Sequence, residues 1–168
     1  MRLFFALWPP GKTAHALGQW ANHVMRDTGG AAMRTENIHL TLAFLGEADP
    51  SQAHNAGQRV QGVARHALAI DEAQYWKHNK IVWVGPRALP SPLSQLVLQL
   101  HAALKAHNFV LEERPFAAHI TLLRKARPPQ ALPPLPALEW PVHEFLLVRS
   151  RTSPRGSTYE PVERFPLN

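Results

Sequence analysis

The chain has 168 residues, 45% hydrophobic and 18% charged, a globular composition with enough length to bury one core. Eighteen Lys and Arg oppose 12 Asp and Glu for a net charge of +6, and 13 of the basic residues are Arg. The planar guanidinium suits two-pronged pairing with phosphate, so the balance leans towards an anionic partner such as RNA. There is no Cys, which excludes a disulfide scaffold, a thiolate metal site and a thiol nucleophile, and fits a reducing cytoplasm. The apolar run Leu3-Phe4-Phe5-Ala6-Leu7-Trp8 is shorter than a signal-peptide core and meets Pro9-Pro10-Gly11 without a cleavage-type sequence. No stretch approaches about 18 apolar residues, so the expectation is a soluble cytoplasmic protein with no membrane span.

In chain order, residues 2–8 read as a strand closed by Pro9-Pro10. Residues 12–26, with Ala14, Leu17, Ala21, Val24 and Met25 near helical spacing, read as a helix ending before Gly29-Gly30. Residues 37–45 form a strand ended by Gly46, and 51–67 are helical in composition with Pro50 as a start signal. Residues 68–76 and 80–84 flank the turn residues His78-Asn79 as a hairpin. After Pro90-Ser91-Pro92, the spacing of Leu93, Leu96, Val97, Leu100 and Leu104 predicts an amphipathic helix to about His107. Residues 116–124 form another strand. The Pro-rich stretch that follows, through Pro136, is neither helix nor central strand and serves as a stiff surface connection. Residues 142–151 and 158–165 close the chain as a hairpin around Pro154-Arg155-Gly156. Strand, helix, strand, helix recurs in both halves, which predicts an α+β fold with weak internal duplication.

Two strands carry the same pattern: His39-Leu40-Thr41-Leu42 and His119-Ile120-Thr121-Leu122. Side chains of a strand alternate, so each copy offers one imidazole and one hydroxyl on a polar face backed by aliphatic residues. With ten His and seven Thr, chance placement yields roughly 0.4 such His-x-Thr matches, so two copies in strand-like surroundings carry weight. The bland alternative is that His and Thr simply occupy the wet face of antiparallel strands.

The segments Glu36-Asn37-Ile38-His39-Leu40-Thr41-Leu42-Ala43-Phe44-Leu45-Gly46 and Arg114-Pro115-Phe116-Ala117-Ala118-His119-Ile120-Thr121-Leu122-Leu123-Arg124 resemble the two signatures of the two-histidine phosphoesterase superfamily. Within it the chain is most similar to the RNA 2′,3′-cyclic phosphodiesterases, also called LigT-like 2′-5′ RNA ligases. The opening Arg2-Leu3-Phe4-Phe5-Ala6-Leu7, the Val82-Trp83-Val84-Gly85 strand and the closing Gly156-Ser157-Thr158-Tyr159-Glu160-Pro161 also match family positions. The resemblance implies one bilobal domain over 1–168. Its two pseudo-symmetric lobes, each an antiparallel sheet with outer helices, flank a central cleft holding both motifs. The family commonly has Pro before the second His and a basic residue before that, where this chain has Ala118 and Ala117. The segment Met33-Arg34-Thr35-Glu36 is also shorter than usual.

Opening a cyclic phosphate needs water deprotonated on attack and an alkoxide protonated on departure, and imidazole does both near neutral pH. Thr41 and Thr121 can donate to the non-bridging oxygens. By resemblance His39 is the proton donor and His119 the proton acceptor, although the symmetry of the motifs leaves the direction open. The expected substrate is RNA ending in a 2′,3′-cyclic phosphate, tRNA halves included. The expected product is a 2′-phosphate, reversible 2′-5′ ligation of RNA halves is a further expected activity, and a monomer without cofactor or metal is expected. Arg124 matches a family position, yet strand parity puts it on the face opposite Thr121 unless the strand bends. Arg34 and Lys125 are weaker basic candidates, and Phe44 and Tyr159 are candidates for stacking on a base. His15, His23, His54, His66, His101 and His107 fall on predicted helices as solvated residues, with His78 in a turn. Three alternatives stay open: a small substrate such as a cyclic nucleotide or ADP-ribose cyclic phosphate, a non-catalytic RNA-binding module, and a zinc enzyme. The last lacks a His-Glu-x-x-His motif or a close carboxylate-His cluster.

Overall fold

A computed structural model describes residues 1–168 as ten strands and three α-helices. In chain order these are β1 (Arg2–Leu7), α1 (Gly11–Thr28), β2 (Ala31–Ala32), β3 (Leu40–Glu47), α2 (Pro50–Gln58), β4 (His66–Ala69) and β5 (Glu72–Trp76). They continue as β6 (Ile81–Gly85), α3 (Ser91–Ala106), β7 (Ile120–Arg124), β8 (Glu139–Val142), β9 (Glu144–Ser153) and β10 (Gly156–Pro166). Two four-stranded antiparallel sheets result, ordered β10-β9-β1-β3 and β2-β7-β6-β5, with β4 and β8 as a separate pair. The fold is α+β, as the alternation of patterns predicts.

The helices bury the faces that their spacing predicts, Ala14, Leu17, Ala21 and Val24 on α1 with Met25 half-buried and Trp20 added, and Leu93, Leu96, Val97, Leu100 and Leu104 on α3. Helix α2 opens with Pro50 at its first turn, and the Asp49 side chain accepts from the Ser51 amide at 2.9 Å. The helices trade places between the sheets. Helix α1 follows β1 of the first sheet but packs on β2 and β7 of the second, while α2 packs on β9, β10 and α3. One cluster of 34 buried residues therefore runs through both halves. The two lobes are two sheets around a shared core, which ties the cleft walls to each other.

Three predicted elements differ from the structure. The helix expected over 51–67 stops at Gln58, because His66–Ala69 pairs with Glu139–Val142 and buries Leu68; pairing overrides the helical composition of this stretch. The strand expected over 68–76 is two strands in different sheets, divided after Ala69. The strand expected over 142–151 is likewise divided at His143, between β8 and β9. Pro141 sits within β8, tolerated because that pair has two strands only and each is an edge.

Candidate active site

Both motif histidines stand one residue ahead of their strands, which begin at Leu40 and Ile120 rather than at 37 and 116. Each is held in the same way. The Nδ1–H of His39 donates to the Asn37 carbonyl at 2.7 Å, and that of His119 donates to the Ala117 carbonyl at 2.9 Å. An imidazole fixed through Nδ1 carries its lone pair on Nε2 when neutral, so both rings present Nε2 away from their own backbone. At His39 the Thr41 hydroxyl donates to Nε2 at 3.1 Å. Close backbone approach sets the second copy: a Cβ at Gly85 would stand 2.6 Å from the Ala118 carbonyl oxygen, so only glycine lets β6 lie under the residue before His119.

A β-bulge follows the Thr of each copy. Ala6 lies opposite Thr41 and Phe5 opposite Ala43, so Leu42 is the extra residue in β3. Trp83 lies opposite Thr121 and Val82 opposite Leu123, so Leu122 is the extra residue in β7. Two successive residues are therefore buried in each strand, Leu42-Ala43 and Leu122-Leu123, and the alternation restarts one position late. This corrects the parity expectation for Arg124, which returns to the face of Thr121. In the same way Phe44 joins Thr41, opposite Phe4. The bulge carbonyls are satisfied differently: Leu122 accepts from the Met33 amide at 2.9 Å, Leu42 from Nε2–H of His101 at 2.8 Å. In the second sheet β2 flanks β7, whereas β3 is the bare edge of the first, so a side chain supplies the missing donor.

Aromatic rings enclose His39. Trp8 stacks on it with centroids 4.8 Å apart, Phe4 lies at 5.1 Å and Tyr159 meets it edge-on at 5.2 Å. This burial pushes the imidazole down to a pKa of about 4, against the pull of the Asn37 carbonyl; the charges of Arg124 and His119 lower it further. His39 is therefore neutral in the free protein at pH 7. His119 lies edge-on to Trp76 at 4.7 Å and to Trp83 at 6.2 Å. One cavity of about 510 Å³ is lined by Thr41 and Phe44 on the side of the first sheet and by His119, Trp76 and Phe116 on the side of the second.

Of the remaining predicted residues, Phe44 is half exposed at 50% under the Arg2 guanidinium, free to meet a ligand. Tyr159 is a wall of the His39 enclosure. Arg34 is exposed and donates through Nη2 to the Arg155 carbonyl at 2.8 Å, while Nδ2 of the Asn37 side chain donates to the Ser157 carbonyl at 3.1 Å. These bonds tie the tip of the β9–β10 hairpin to the segment that precedes His39. Lys125 has a φ of +56° just beyond β7. Among the histidines read as solvated, His101 instead supports the β3 bulge, and His54 is bonded to Glu163. Trp8, Trp76 and His101 escaped the sequence reading. Trp8 alone had a signal there, since it continues the alternation Phe4, Ala6, Trp8. No group of three or more His, Asp or Glu side chains is placed to hold a metal ion.

Residues 7–83 match the family model described as LigT-like phosphoesterase. The chain is 33% identical to the RNA 2′,3′-cyclic phosphodiesterase of Escherichia coli strain K12, over 99% of this chain and 96% of that protein. The chain belongs to the LigT-like phosphoesterases. Another relative, the RNA 2′,3′-cyclic phosphodiesterase of Thermus thermophilus, is 31% identical over 99% of this chain and 90% of its own length. The crystal structure of E. coli LigT in apo form superposes with a TM-score of 0.90 at 32% identity, covering 99% of this chain and 96% of that one. The E. coli LigT structure complexed with 3′-AMP gives 0.89 at 32% identity, with 99% and 97% covered. Membership in this two-histidine family places the chain among phosphoesterases, and no helix in it is long and apolar enough to cross a membrane.

Proposed function

We propose that this phosphoesterase opens the 2′,3′-cyclic phosphate at the end of an RNA strand, with His39 and His119 as the proton-transfer pair. One observation carries the reading: two imidazoles from separate sheets, each fixed through Nδ1 to the carbonyl two residues back, each with a Thr on its face. A binding module has no use for two such preset tautomers, whereas in-line displacement at phosphorus needs one on each side. Water attacks from the His119 side and gives its proton to Nε2. The bond from phosphorus to the 3′-oxygen breaks, that oxygen takes a proton from Nε2 of His39, and a 2′-phosphate is left. Thr41, Thr121 and Arg124 share the bulge-set faces and hold the non-bridging oxygens, where charge sits through the transition state. Every proton in this scheme moves between side chains, water and substrate. Phe44 offers its open face to the terminal base.

The donor role of His39 follows the family pattern, and it requires the anionic phosphate to offset the burial that keeps this ring neutral in the free cleft. The same burial favours a second reading with the polarity reversed, His39 taking the proton from water. A substrate with sulfur in place of the leaving 3′-oxygen decides between them, because a good leaving group needs little help from an acid. His39→Ala should hydrolyse it nearly as well as the unmodified protein, with His119→Ala still impaired. Rescue of His119→Ala instead would reverse the roles, and a 3′-phosphate product would overturn the regiochemistry. RNA is preferred over a free cyclic nucleotide on the Arg excess, and 2′-5′ ligation is the same displacement with a 5′-terminal hydroxyl in place of water: the bond from phosphorus to the 5′-oxygen forms as that to the 3′-oxygen breaks.

A further inference from the structure

We propose that a second cavity beside His39 holds the base of the nucleotide preceding the cyclic-phosphate end, and that it favours a base bearing an exocyclic amine. The inference deepens the functional reading above and rests on it for where the strand ends. The cavity, of about 430 Å³, opens on the face of the first sheet that carries His39: its floor includes Leu146 and Val148, which pack with Phe4 and Ala6 of β1. Trp8 and Tyr159 line it and also enclose His39, so the two sites share an aromatic wall. With Trp8 stacked 4.8 Å from the His39 ring, a strand whose last phosphate lies at His39 has its next unit within reach of that wall.

The lining decides what fits. Aliphatic floor and aromatic wall accept a flat ring, as in stacking platforms for unpaired nucleotides. A phosphate is disfavoured, because the one guanidinium present, Arg164, is held by Glu144 at 2.9 and 3.2 Å. The indole N–H of Trp8 is already donated to the Glu36 carbonyl at 3.1 Å. With Glu144 committed to Arg164, the carboxylate the rim leaves for a base is Glu36, and an acceptor selects an amine over a carbonyl. Adenine and cytosine present such an amine on their pairing edge, and uracil presents none.

The test compares kcat/KM for three substrates: adenosine 2′,3′-cyclic phosphate, and two dinucleotides ending in that same unit, preceded by A or by U. The A-preceded dinucleotide should exceed the mononucleotide by about fivefold to a hundredfold, the size of one stacked base, and should exceed the U-preceded one. Pro161 lines the cavity and is exposed on β10. Pro161→Trp should abolish the dinucleotide advantage with mononucleotide turnover unchanged, and Glu36→Gln should erase the preference for A over U. Equal rates for all three substrates on the unmodified protein would overturn the proposal, as would a Pro161→Trp that depresses mononucleotide and dinucleotide alike. Calorimetric binding of the dinucleotide ApA to Pro161→Trp and to the unmodified protein tests the cavity without turnover. Weaker binding to the variant supports the cavity even if hydrolysis fails, and equal binding refutes it.

Discussion

Burial of His39 under Trp8, Phe4 and Tyr159 makes it the residue whose titration reports most directly on the cleft. Its pKa of about 4 lies below the 6.5 of an unfolded chain, so between those values the unfolded state binds more protons. Stability from this group is therefore fully present above pH 6.5 and is lost as pH falls towards 4, by up to about 3 kcal/mol. His39→Gln should flatten the denaturation-stability profile across that window, as urea titrations at stepped pH would show. In NMR titrations the His39 ring should change charge near pH 4 in the free protein and at higher pH with inorganic phosphate bound, since an anion favours imidazolium. An unmoved titration would remove the offset on which its donor role depends. His39→Ala and His119→Ala should each lower turnover by on the order of 10² to 10⁴, with the double variant short of the product because the proposed mechanism uses the two as a unit.

At the level of elements, the bulges in β3 and β7 decide which side chains reach the cleft. Without the extra residue Leu122, Arg124 would point behind the sheet. The β3 bulge depends on a side chain, His101, where the β7 bulge uses backbone. His101→Leu leaves the Leu42 carbonyl without its donor and should cost roughly 1–3 kcal/mol in stability. Because Thr41 precedes that carbonyl directly, turnover should fall as well, by about tenfold. His101→Gln keeps an N–H near the same reach and should recover most of both losses. Thermal melts beside turnover assays check this, and equal damage from Leu and Gln would detach His101 from the bulge.

For the whole molecule, the helices exchanged between sheets join both cleft walls to one core, so the two histidines are presented by a single packed body. The proposed chemistry runs entirely on side chains, and turnover should survive exhaustive chelation; loss with EDTA and recovery with zinc or manganese would overturn it. The net charge of +6 bears on the substrate rather than on the reaction. Oligonucleotide affinity should fall as salt rises, while turnover of a cyclic mononucleotide changes less. Equal salt sensitivity would favour a small substrate.

Periodicity and repetition along the chain determined the helix faces of α1 and α3, the closing hairpin and the two His-x-Thr units, because these depend on local spacing alone. His39 with Thr41, and His119 with Thr121, were legible for that reason. Tertiary structure alone decided the rest. A bulge is a mismatch between two strands, so Leu42 and Leu122 carry no mark of it, and the placement of Arg124 and Phe44 could not be read without their partners. Residues 59–67 compose well as helix and became loop and the start of a strand because Glu139–Val142, about seventy positions on, offered pairing and burial for Leu68. His101 reads as one polar residue on an amphipathic helix, and its task arises only where the edge of β3 meets α3. The enclosure that lowers His39 is likewise assembled from positions 4, 8 and 159. Desolvation depends on what surrounds a group in space, which neighbours in sequence do not specify.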